Sequence, residues 1–313
     1  MSTILISGGA GMVGTALTDL LLQNNHSVII LSRKKRKSTL PNCKYALWDT
    51  DKGTIEDGII ATVDYIVHLA GENVAEKRWT KQRKEAILNS RVNSGHCIAK
   101  ALKETPNKVK AVIAASAIGW YGPDQVNGRP FTEEALHHHD YLGDTCYQWE
   151  QSVAPIREMG IRLLQLRIGI VLSEKGGALK EFMKPLQFGA AVTMGSGKQI
   201  VSWIHVDDLC SMILFGMEQN GLSGVFNAVS PNPVSNQSLV EELVKASKKS
   251  FIIKIKLPAF LLKIILGEMS IEVLKSTTVS ADKILSAGFK FNFLSISMAI
   301  KELVDKKNSV NTQ

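Results

Sequence analysis

The stretch TILISGGAGMVG, residues 3–14, decides the fold of this chain. Its first half is a short run of β-branched and aliphatic residues, which is typical of a buried strand. Glycines follow directly and fit G-x-G-x-x-G from Gly9 and G-x-x-G-x-x-G from Gly8. A helical pattern then begins at Val13. This order predicts a dinucleotide-binding βαβ unit rather than an ordinary glycine turn.

In such a unit the glycines have physical tasks. The chain must turn sharply, let a pyrophosphate approach the backbone and keep the helix close to the strand. The free N–H groups and the positive dipole end of the helix then point at the phosphates. We therefore predict that Gly8, Gly11 and Gly14 bind the pyrophosphate, with Met12 and Val13 at the start of the helix.

The end of the second predicted strand, residues 28–31, decides between NAD and NADP. NAD enzymes place Asp or Glu there, about 20 residues after the loop, on the ribose 2′-hydroxyl. This chain has Ser32 and Arg33 instead. An arginine can hold a 2′-phosphate through two parallel hydrogen bonds, and a serine can donate another. We therefore predict NADP(H). We assign the adenine amino group to Asp49, for which capping a turn is the alternative role.

The rest of the chain predicts a doubly wound parallel sheet, because β-branched runs alternate with segments of helical periodicity. Predicted strands cover residues 4–7, 28–31, 44–47, 63–69, 109–115, 162–168 and 225–229. Predicted helices cover residues 13–24, 81–103, 145–159 and 179–187, with another from about Asp208. After Pro231 we expect a helix at 236–247, a short strand at 252–255 and a mostly helical segment at 258–300.

These elements divide into two parts. We expect a Rossmann-type α/β domain over residues 1–230 and a smaller C-terminal α+β lobe over residues 231–313. Residues 170–200 should contribute to the cleft between the two parts and to the second lobe. No repeat or low-complexity linker separates them, so we expect the lobe to be packed against the domain.

Composition excludes several classes of function. The chain has 313 residues, 45% of them hydrophobic, and a formal net charge of +8. Basic stripes interleaved with aromatic residues are missing, so the charge predicts solvated lysines and arginines rather than nucleic-acid binding. The longest apolar run near the end, residues 260–266, contains Lys263 and is too short to cross a bilayer. We therefore predict a small-molecule substrate, no nucleic acid and no membrane.

Four cysteines lie far apart in the sequence, at Cys43, Cys97, Cys146 and Cys210. They form no C-x-x-C pair, and sparse unpaired cysteine is typical of the reducing cytoplasm, which is our predicted location. We also predict no metal. The run His137-His138-His139-Asp140 has neither helical i, i+4 spacing nor a distant partner, so it predicts a solvated loop or a mobile lid.

Short motifs make the chain resemble the extended short-chain dehydrogenase/reductases, the NAD(P)-dependent epimerase/dehydratase group. More closely, they resemble an atypical branch of epimerase family proteins that carries a small C-terminal domain of unknown function. The motifs are HLAGEN (68–73), RW (78–79), SR (90–91), SAIGWYG (116–122), WE (149–150), LRIGIVL (166–172), GSG (195–197), WIHVDD (203–208), LGE (266–268) and AGF (287–289).

The resemblance implies a parallel Rossmann sheet of about seven strands, with a cleft that the C-terminal lobe caps. It implies that Leu69, Ala70 and Gly71 line the cofactor behind the fourth strand. It also implies that Arg91 reaches the cofactor from the next helix, with a surface ion pair as the alternative role.

Catalysis is where the chain departs from the wider family, which uses Ser, Tyr and Lys to position the substrate oxygen and move its proton. Ser116 matches the serine, and we predict that it positions the substrate oxygen. Counting back from Glu150 places Leu142 at the tyrosine position and Cys146 at the lysine position. Neither side chain can do that chemistry.

Two tyrosines remain as proton donors. Tyr121 is the candidate that we predict for a proton relay, with simple packing as the alternative. Tyr141 lies one residue before the required position, about 100° away on a regular helix. His205 with Asp207 and Asp208 predicts a strand end and a helix N-cap, with catalysis by His205 as the minority alternative.

Together these features predict an NADP(H)-dependent oxidoreductase or a nucleotide-sugar-epimerase-like enzyme of unknown substrate. Four residues could shape a pocket for an anionic substrate: Arg78, Trp79, Lys184 and Trp203. The missing Tyr and Lys leave one alternative of a different class, a non-catalytic NADP(H)-binding redox sensor or regulatory protein.

Overall fold

The computed structural model describes residues 1–126, 128–247, 249 and 251–310, without the side chains of residues 307–310. In chain order the strands are β1 (Thr3–Ser7), β2 (Ser27–Ser32), β3 (Cys43–Asp49), β4 (Thr54–Ile55), β5 (Tyr65–His68), β6 (Ala111–Ala117), β7 (Arg162–Ile168), β8 (Ile170–Ser173), β9 (Ala190–Met194), β10 (Ile200–Val201), β11 (Trp203–His205), β12 (Gly224–Ala228), β13 (Val234–Ser235) and β14 (Ile253–Leu257).

The helices follow the same order: α1 (Met12–Gln23), α2 (Ile59–Thr62), α3 (Lys81–Glu104), α4 (Tyr141–Val153), α5 (Gly177–Gln187), α6 (Val206–Glu218), α7 (Asn236–Ala246), α8 (Ala259–Leu266), α9 (Ser270–Leu274), α10 (Asp282–Ser286) and α11 (Ile296–Val310). Short 3-10 segments lie at Ile118–Trp120, Ala154–Met159 and Gly267–Met269. Within the described residues, no helix combines the length and hydropathy needed to cross a bilayer.

The main sheet has the strand order β12-β7-β6-β5-β1-β2-β3-β4. All neighbouring strands are parallel except the short outer pair of β3 and β4. The Rossmann-type α/β prediction is therefore confirmed. The chain winds outward from β1 through β2 to β3 and then returns to β5 on the other side of β1. This reversal opens a crevice at the carboxyl ends of β1 and β5.

Both faces of the sheet are buried, which explains why its inner strands β1, β2 and β5 are mostly apolar. Ile4 and Ile6 face the core beneath α1 and α6, whereas Leu5 faces the core beneath α3 and α4. This alternation follows from the two-residue period of a strand. The helices therefore form one layer on each side, and the carboxyl edge of the sheet is left for ligands.

A third core forms the small lobe. It joins residues 172–203 to residues 239–304, with Trp203 and Leu239 fully buried at its centre. Strand β14 pairs with β9, and β13 pairs with β10, so the two chain segments are hydrogen-bonded to each other. The lobe is thus built from two stretches of sequence that lie on either side of β12.

One sequence prediction about helices needs correction. Helix α4 begins at Tyr141 rather than near residue 145, because the Asp140 side chain accepts a hydrogen bond from Gly143 N at 2.8 Å and caps it. Residues 258–300 are mostly helical, as predicted, through α8, α9, α10 and the start of α11. Between α9 and α10 the chain runs along the domain, where Val279 pairs with Phe131.

Candidate nucleotide-binding cleft

The glycine loop connects β1 to α1 and is packed too tightly for side chains. Gly8 has φ +75°, and a Cβ there would lie 2.8 Å from the Leu69 carbonyl carbon. A Cβ on Gly14 would lie 2.5 Å from the Gly9 Cα and would also meet the Gly8 carbonyl oxygen. Since these neighbours are backbone atoms, they can move aside only if the whole loop shifts. Glycine is required at both positions for the loop and helix to approach each other.

The start of α1 is open for an anion. Its N-cap residue, Gly11, is exposed and makes no side-chain capping bond, and its first turn holds no acidic residue. The positive end of the helix dipole is therefore not neutralised by the chain itself. A phosphate could accept the free N–H groups of this turn.

A cavity of about 1260 Å³ lies at this end of the sheet. Its wall is formed by the glycine loop, the ends of β2 and β3, the loop after β5 and one face of α3. The residues from the predicted cofactor set in this wall are Gly8, Ser32, Arg33, Asp49, Ala70 and Gly71. The α3 residues in the wall were missed by the sequence analysis, although their helical spacing was readable: Ala86, Asn89, Ser90, Asn93 and Ser94.

The end of β2 presents Arg33 to the cavity as an exposed side chain. Ser32 Oγ donates to the Lys34 carbonyl at 2.8 Å, which keeps the turn after β2 compact. Asp49 has the turn role that we considered as its alternative, because it accepts from Asp51 N at 3.0 Å. It also lines the cavity, and backbone hydrogen bonds, led by that from Lys52, lower its pKa.

The loop after β5 is held in place by α3. Glu72 N donates to Ser90 Oγ at 2.9 Å, and Arg91 Nη1 donates to the Glu72 carbonyl at 3.0 Å. Arg83 forms an ion pair with the Glu72 carboxylate at 3.1 Å. The alternative of a surface ion pair for Arg91 is wrong, since its guanidinium is packed between Gly71 and the Trp149 ring.

The remaining predicted cofactor residues lie beside the cavity rather than in its wall. They are Gly11, Met12, Val13, Gly14, Leu69 and Arg91. The Met12 side chain reaches the small lobe, where its Cε would be 3.2 Å from a Cβ on Gly177. The loop from β8 to α5 therefore packs against the Met12 side chain.

A buried histidine under the glycine loop was not predicted. His68 Nδ1 shares a hydrogen bond of 2.6 Å with Ser7 Oγ, and its Nε2 is 3.4 Å from Ser94 Oγ. Ser94 already donates to the Arg91 carbonyl, so Nε2 donates to Ser94 and Nδ1 accepts from Ser7. Burial, and then the charge of Arg91, lower the pKa of His68 to about 4.

Ser116 does not have the role that the sequence predicted. Its side chain is 2% exposed, and its hydroxyl donates to Glu150 Oε1 at 2.7 Å. Glu150 in turn accepts from Arg167 Nε at 2.8 Å in a fully buried ion pair. A hydroxyl that gives its only proton to a buried carboxylate cannot donate to a substrate oxygen. Ser116 therefore stabilises this ion pair.

Tyr121 is corrected in the same way. It is 1% exposed, and its hydroxyl donates to Asn227 Oδ1 at 2.6 Å and accepts from Arg167 Nη1 at 3.0 Å. Its ring is stacked on Phe131 at 5.1 Å. Burial raises its pKa to about 12. The packing alternative holds, because this hydroxyl is fully used inside the protein.

At the positions of the family's Tyr and Lys, the structure contains a buried thiol and an aliphatic side chain. Cys146 is buried, and burial followed by the Glu150 charge raises its pKa to about 12. Leu142 packs against Gly119 beside it. Tyr141 points instead toward α3, where its hydroxyl donates to the Lys84 carbonyl at 3.0 Å.

A second cavity, of about 330 Å³, lies between α3, the start of α4 and the small lobe. Its lining includes Lys84, Tyr141 and Glu268, and Lys84 forms an ion pair with Glu268 across the two parts of the molecule. The edge of Trp79 contacts the Tyr141 ring at 5.0 Å. Arg78 donates to the Ile264 carbonyl of α8 at 3.1 Å.

The other two residues suggested for an anionic pocket lie elsewhere. Lys184 is exposed and paired with Glu181 at 2.7 Å, and Trp203 is buried in the small-lobe core. His205 ends β11 and caps α6 by accepting from Asp207 N at 3.1 Å, so the N-cap prediction is confirmed. Its Nε2 is 3.0 Å from Glu302, which fastens α11 to the domain.

The sequence matches the NAD dependent epimerase/dehydratase family over residues 4–228. The chain belongs to this family. Residues 257–303 match a domain of unknown function, DUF1731. In this epimerase/dehydratase member, Glu268 of the second cavity therefore comes from the domain of unknown function and Lys84 from the family domain.

Relatives of the whole chain are epimerase family proteins. It is 33% identical over 308 residues to YfhF of Bacillus subtilis, covering 98% of this chain and 99% of that protein. It is 32% identical over 306 residues to SAR0825 of Staphylococcus aureus, covering 98% and 100%. Both matches confirm the resemblance to the epimerase family proteins.

Two solved structures extend the comparison. Human epimerase family protein SDR39U1, solved with NADPH, has a TM-score of 0.85 at 27% identity and covers 97% of this chain and 99% of that one. A nucleoside-diphosphate sugar epimerase from Corynebacterium glutamicum has a TM-score of 0.76 at 29% identity, covering 100% of this chain and 62% of that one. The epimerase/dehydratase member described here is thus an atypical short-chain dehydrogenase/reductase with a nicotinamide dinucleotide as its cofactor class.

Proposed function

We propose that this chain is an NADP(H)-dependent oxidoreductase or a nucleotide-sugar-epimerase-like enzyme. The observation that carries the choice of cofactor is Arg33, which faces the large cavity directly after β2 where an NAD enzyme would hold a carboxylate. Lys34 and Arg36 line the same region, so the charge there favours a ribose 2′-phosphate. The similar human protein was solved with NADPH, which supports the same choice.

In this proposal the cofactor lies along the carboxyl edge of the sheet. Gly8, Gly11 and Gly14 let the pyrophosphate approach the backbone, and the N–H groups of Met12 and Val13 face it. These contacts use backbone atoms, which explains why the loop depends on small residues rather than on a particular side chain.

The two ends of the cofactor have different partners. Ser32 and Arg33 hold the 2′-phosphate, and Asp49 accepts from the adenine amino group while it keeps its turn. Toward the other end, Leu69, Ala70 and Gly71 form the wall. Arg91 is the cation behind that wall, where its guanidinium packs between Gly71 and the Trp149 ring.

When bound, the nicotinamide supplies the hydride. The chain must then hold a substrate and protonate its oxygen, and the second cavity is our candidate for that work. Lys84 would exchange Glu268 for an anionic group of the substrate. Tyr141 carries a proton at neutral pH, as an ordinary tyrosine does, and burial raises its pKa further. It would exchange the Lys84 carbonyl for a substrate oxygen.

Titration of NADPH and NADH against wild type, Arg33→Ala and Lys35→Ala tests the cofactor choice. Two charge-assisted hydrogen bonds lost at Arg33 should weaken NADPH by about 10- to 100-fold and leave NADH nearly unchanged. Lys35 is exposed and outside the cavity wall, so Lys35→Ala is the matched control. Equal NADPH affinity in all three proteins would refute the role of Arg33.

The second candidate function is a non-catalytic NADP(H) sensor, which the internal hydrogen bonds of Ser116 and Tyr121 favour. The protein with NADPH should be screened against carbonyl compounds and nucleotide sugars, with product analysis because epimerisation returns the hydride. Substrate-dependent turnover that Lys84→Met slows, and Lys77→Met does not, would exclude the sensor. If the protein binds NADPH tightly but turns over none of the screened substrates, the enzyme hypothesis is excluded for those substrates.

A further inference from the structure

Three side chains converge on one point in front of α4, away from the large cavity. His137 Nε2 is 3.5 Å from Asp144 Oδ1, and His139 Nδ1 is 3.8 Å from the same oxygen. The three potential ligand atoms lie within 4.8 Å of one another. The histidine run by itself predicted a solvated loop. What it lacked was a third ligand, and the first turn of α4 supplies it as Asp144.

These separations are those of metal ligands. In a tetrahedral zinc site with metal–ligand distances of about 2.0–2.2 Å, adjacent ligand atoms are about 3.3–3.6 Å apart. The two His–Asp distances match this arrangement within a few tenths of an ångström. Two imidazoles and one carboxylate are also the ligand types that zinc and similar borderline divalent ions prefer.

The site is oriented before any ion binds. The His137 ring is stacked on Tyr147 at 4.5 Å and contacts Trp120 edge-on at 5.4 Å, so it is only 20% exposed. Asp144 is fixed by the first turn of α4. His138, between the two ligands in sequence, is turned toward Asp140 at 3.0 Å. It therefore provides a neighbouring histidine that does not take part.

We propose that His137, His139 and Asp144 bind Zn²⁺ or a similar divalent cation, with a solvent water as the fourth ligand. The ion would tie residues 137–139 to the helix that begins with Tyr141, next to the second cavity. It would stabilise this segment of the chain. This site is independent of the proposed cofactor and activity.

The experiment uses the untagged full-length protein, freed of metal, and titrates it with Zn²⁺ by calorimetry. Co²⁺ provides a second reading, since a tetrahedral site gives it an intense visible spectrum that aqueous Co²⁺ lacks. We expect one Zn²⁺ per chain and a tetrahedral Co²⁺ spectrum. His139→Ala and Asp144→Asn should each weaken Zn²⁺ by about tenfold or more, whereas His138→Ala should stay within about twofold.

Both ligand variants change exposed side chains, so their folding can be verified by circular dichroism before titration. If Zn²⁺ affinity is the same in His139→Ala, Asp144→Asn and wild type, the cluster is only a set of His–Asp ion pairs and the proposal is wrong. Loss of binding in His138→Ala to the same extent would overturn the ligand assignment. An octahedral Co²⁺ spectrum would overturn the tetrahedral geometry.

Discussion

The carboxyl edge of the sheet differs sharply between its two halves. At β1, β2, β3 and β5 the edge opens into a cavity of about 1260 Å³, and the charged side chains in its lining are mostly exposed. At β6 and β7 the polar side chains are buried and bonded to one another. The open half has hydrogen-bond donors and charged groups available for a ligand. In the closed half these groups are hydrogen-bonded to one another inside the protein.

The closed half is a single connected network. Ser116 of β6 and Arg167 of β7 both donate to the carboxylate of Glu150. The Arg167 guanidinium also donates to the hydroxyl of Tyr121, which follows β6. Asn227 of β12 extends it by accepting from Tyr121. A satisfied buried network fixes the relative positions of its elements. In the proposed enzyme this half is a support, and the chemistry lies nearer α3 and the small lobe.

The largest expected effect comes from breaking this network at Glu150. Glu150→Gln leaves the Arg167 guanidinium buried without a negative partner, which typically costs about 3–5 kcal/mol. Urea unfolding followed by circular dichroism should show a loss of that size. The matched control is Glu181→Gln, since Glu181 pairs with Lys184 on the surface and should contribute less than about 1 kcal/mol. Equal stability of the two variants would contradict a supporting network.

The second prediction concerns the pH dependence of the unfolding free energy, to which His68 of the open half should contribute. The folded-state pKa of His68 is about 4, against an ordinary value of 6.5, because the buried ring stays neutral under the glycine loop. As pH falls from 6.5 toward 4 the unfolded chain binds a proton that the folded chain excludes. Stability is therefore lost over this window, by about 3 kcal/mol for this residue.

Carboxylates also titrate in that window, so the measurement is a difference. Unfolding free energies of wild type, His68→Asn and His96→Asn should be compared from pH 7 to pH 4. His68→Asn should be less pH-dependent than wild type, while His96→Asn, at an exposed position, should follow wild type. Parallel curves for all three would mean that His68 does not remain neutral in the folded protein.

The open half was largely predictable from sequence because its signals are local. A strand, a glycine turn and a helix follow one another within residues 3–23. The cofactor preference was predicted from two residues that are adjacent in sequence at the end of β2. Gly8, Ser32 and Arg33 needed no knowledge of distant contacts. Their placement follows from element order, since the carboxyl ends of parallel strands meet at one edge.

The closed half was not predictable in the same way. Ser116 stands at a strand end, but whether it faces a ligand or a helix depends on the register of α4, which brings Glu150 to it from 34 residues away. The pair of Lys84 and Glu268 spans 184 residues and two parts of the molecule. No periodicity or motif spacing encodes such contacts. Asp144 likewise joins the histidines only once α4 starts at Tyr141.

A third prediction concerns the open half. Gly14→Ala introduces a Cβ 2.5 Å from the Gly9 Cα, so the loop must shift away from α1. We expect NADPH to bind about tenfold more weakly or worse, with a smaller loss of stability of about 1–3 kcal/mol. Gly221→Ala is the control, because a Cβ there meets no described atom within 4 Å and its φ, like that of Gly14, is not in the left-handed range. Unchanged NADPH affinity in Gly14→Ala would place the cofactor away from this loop.

The smallest expected effect is that of Ser116→Ala, and it tests which half of the edge contains the catalytic groups. Ser116→Ala removes one hydrogen bond to Glu150, while Arg167 still neutralises that carboxylate. Stability should therefore fall by about 1 kcal/mol. Once a substrate is found, kcat/KM should change by less than about threefold, because the hydroxyl faces the network and not the cleft. A catalytic serine would instead give a drop of about 100-fold or more at little cost in stability. The structural role thus lowers stability with little effect on kcat/KM, whereas the catalytic role lowers kcat/KM with little effect on stability. The second result would return the proton chemistry to β6.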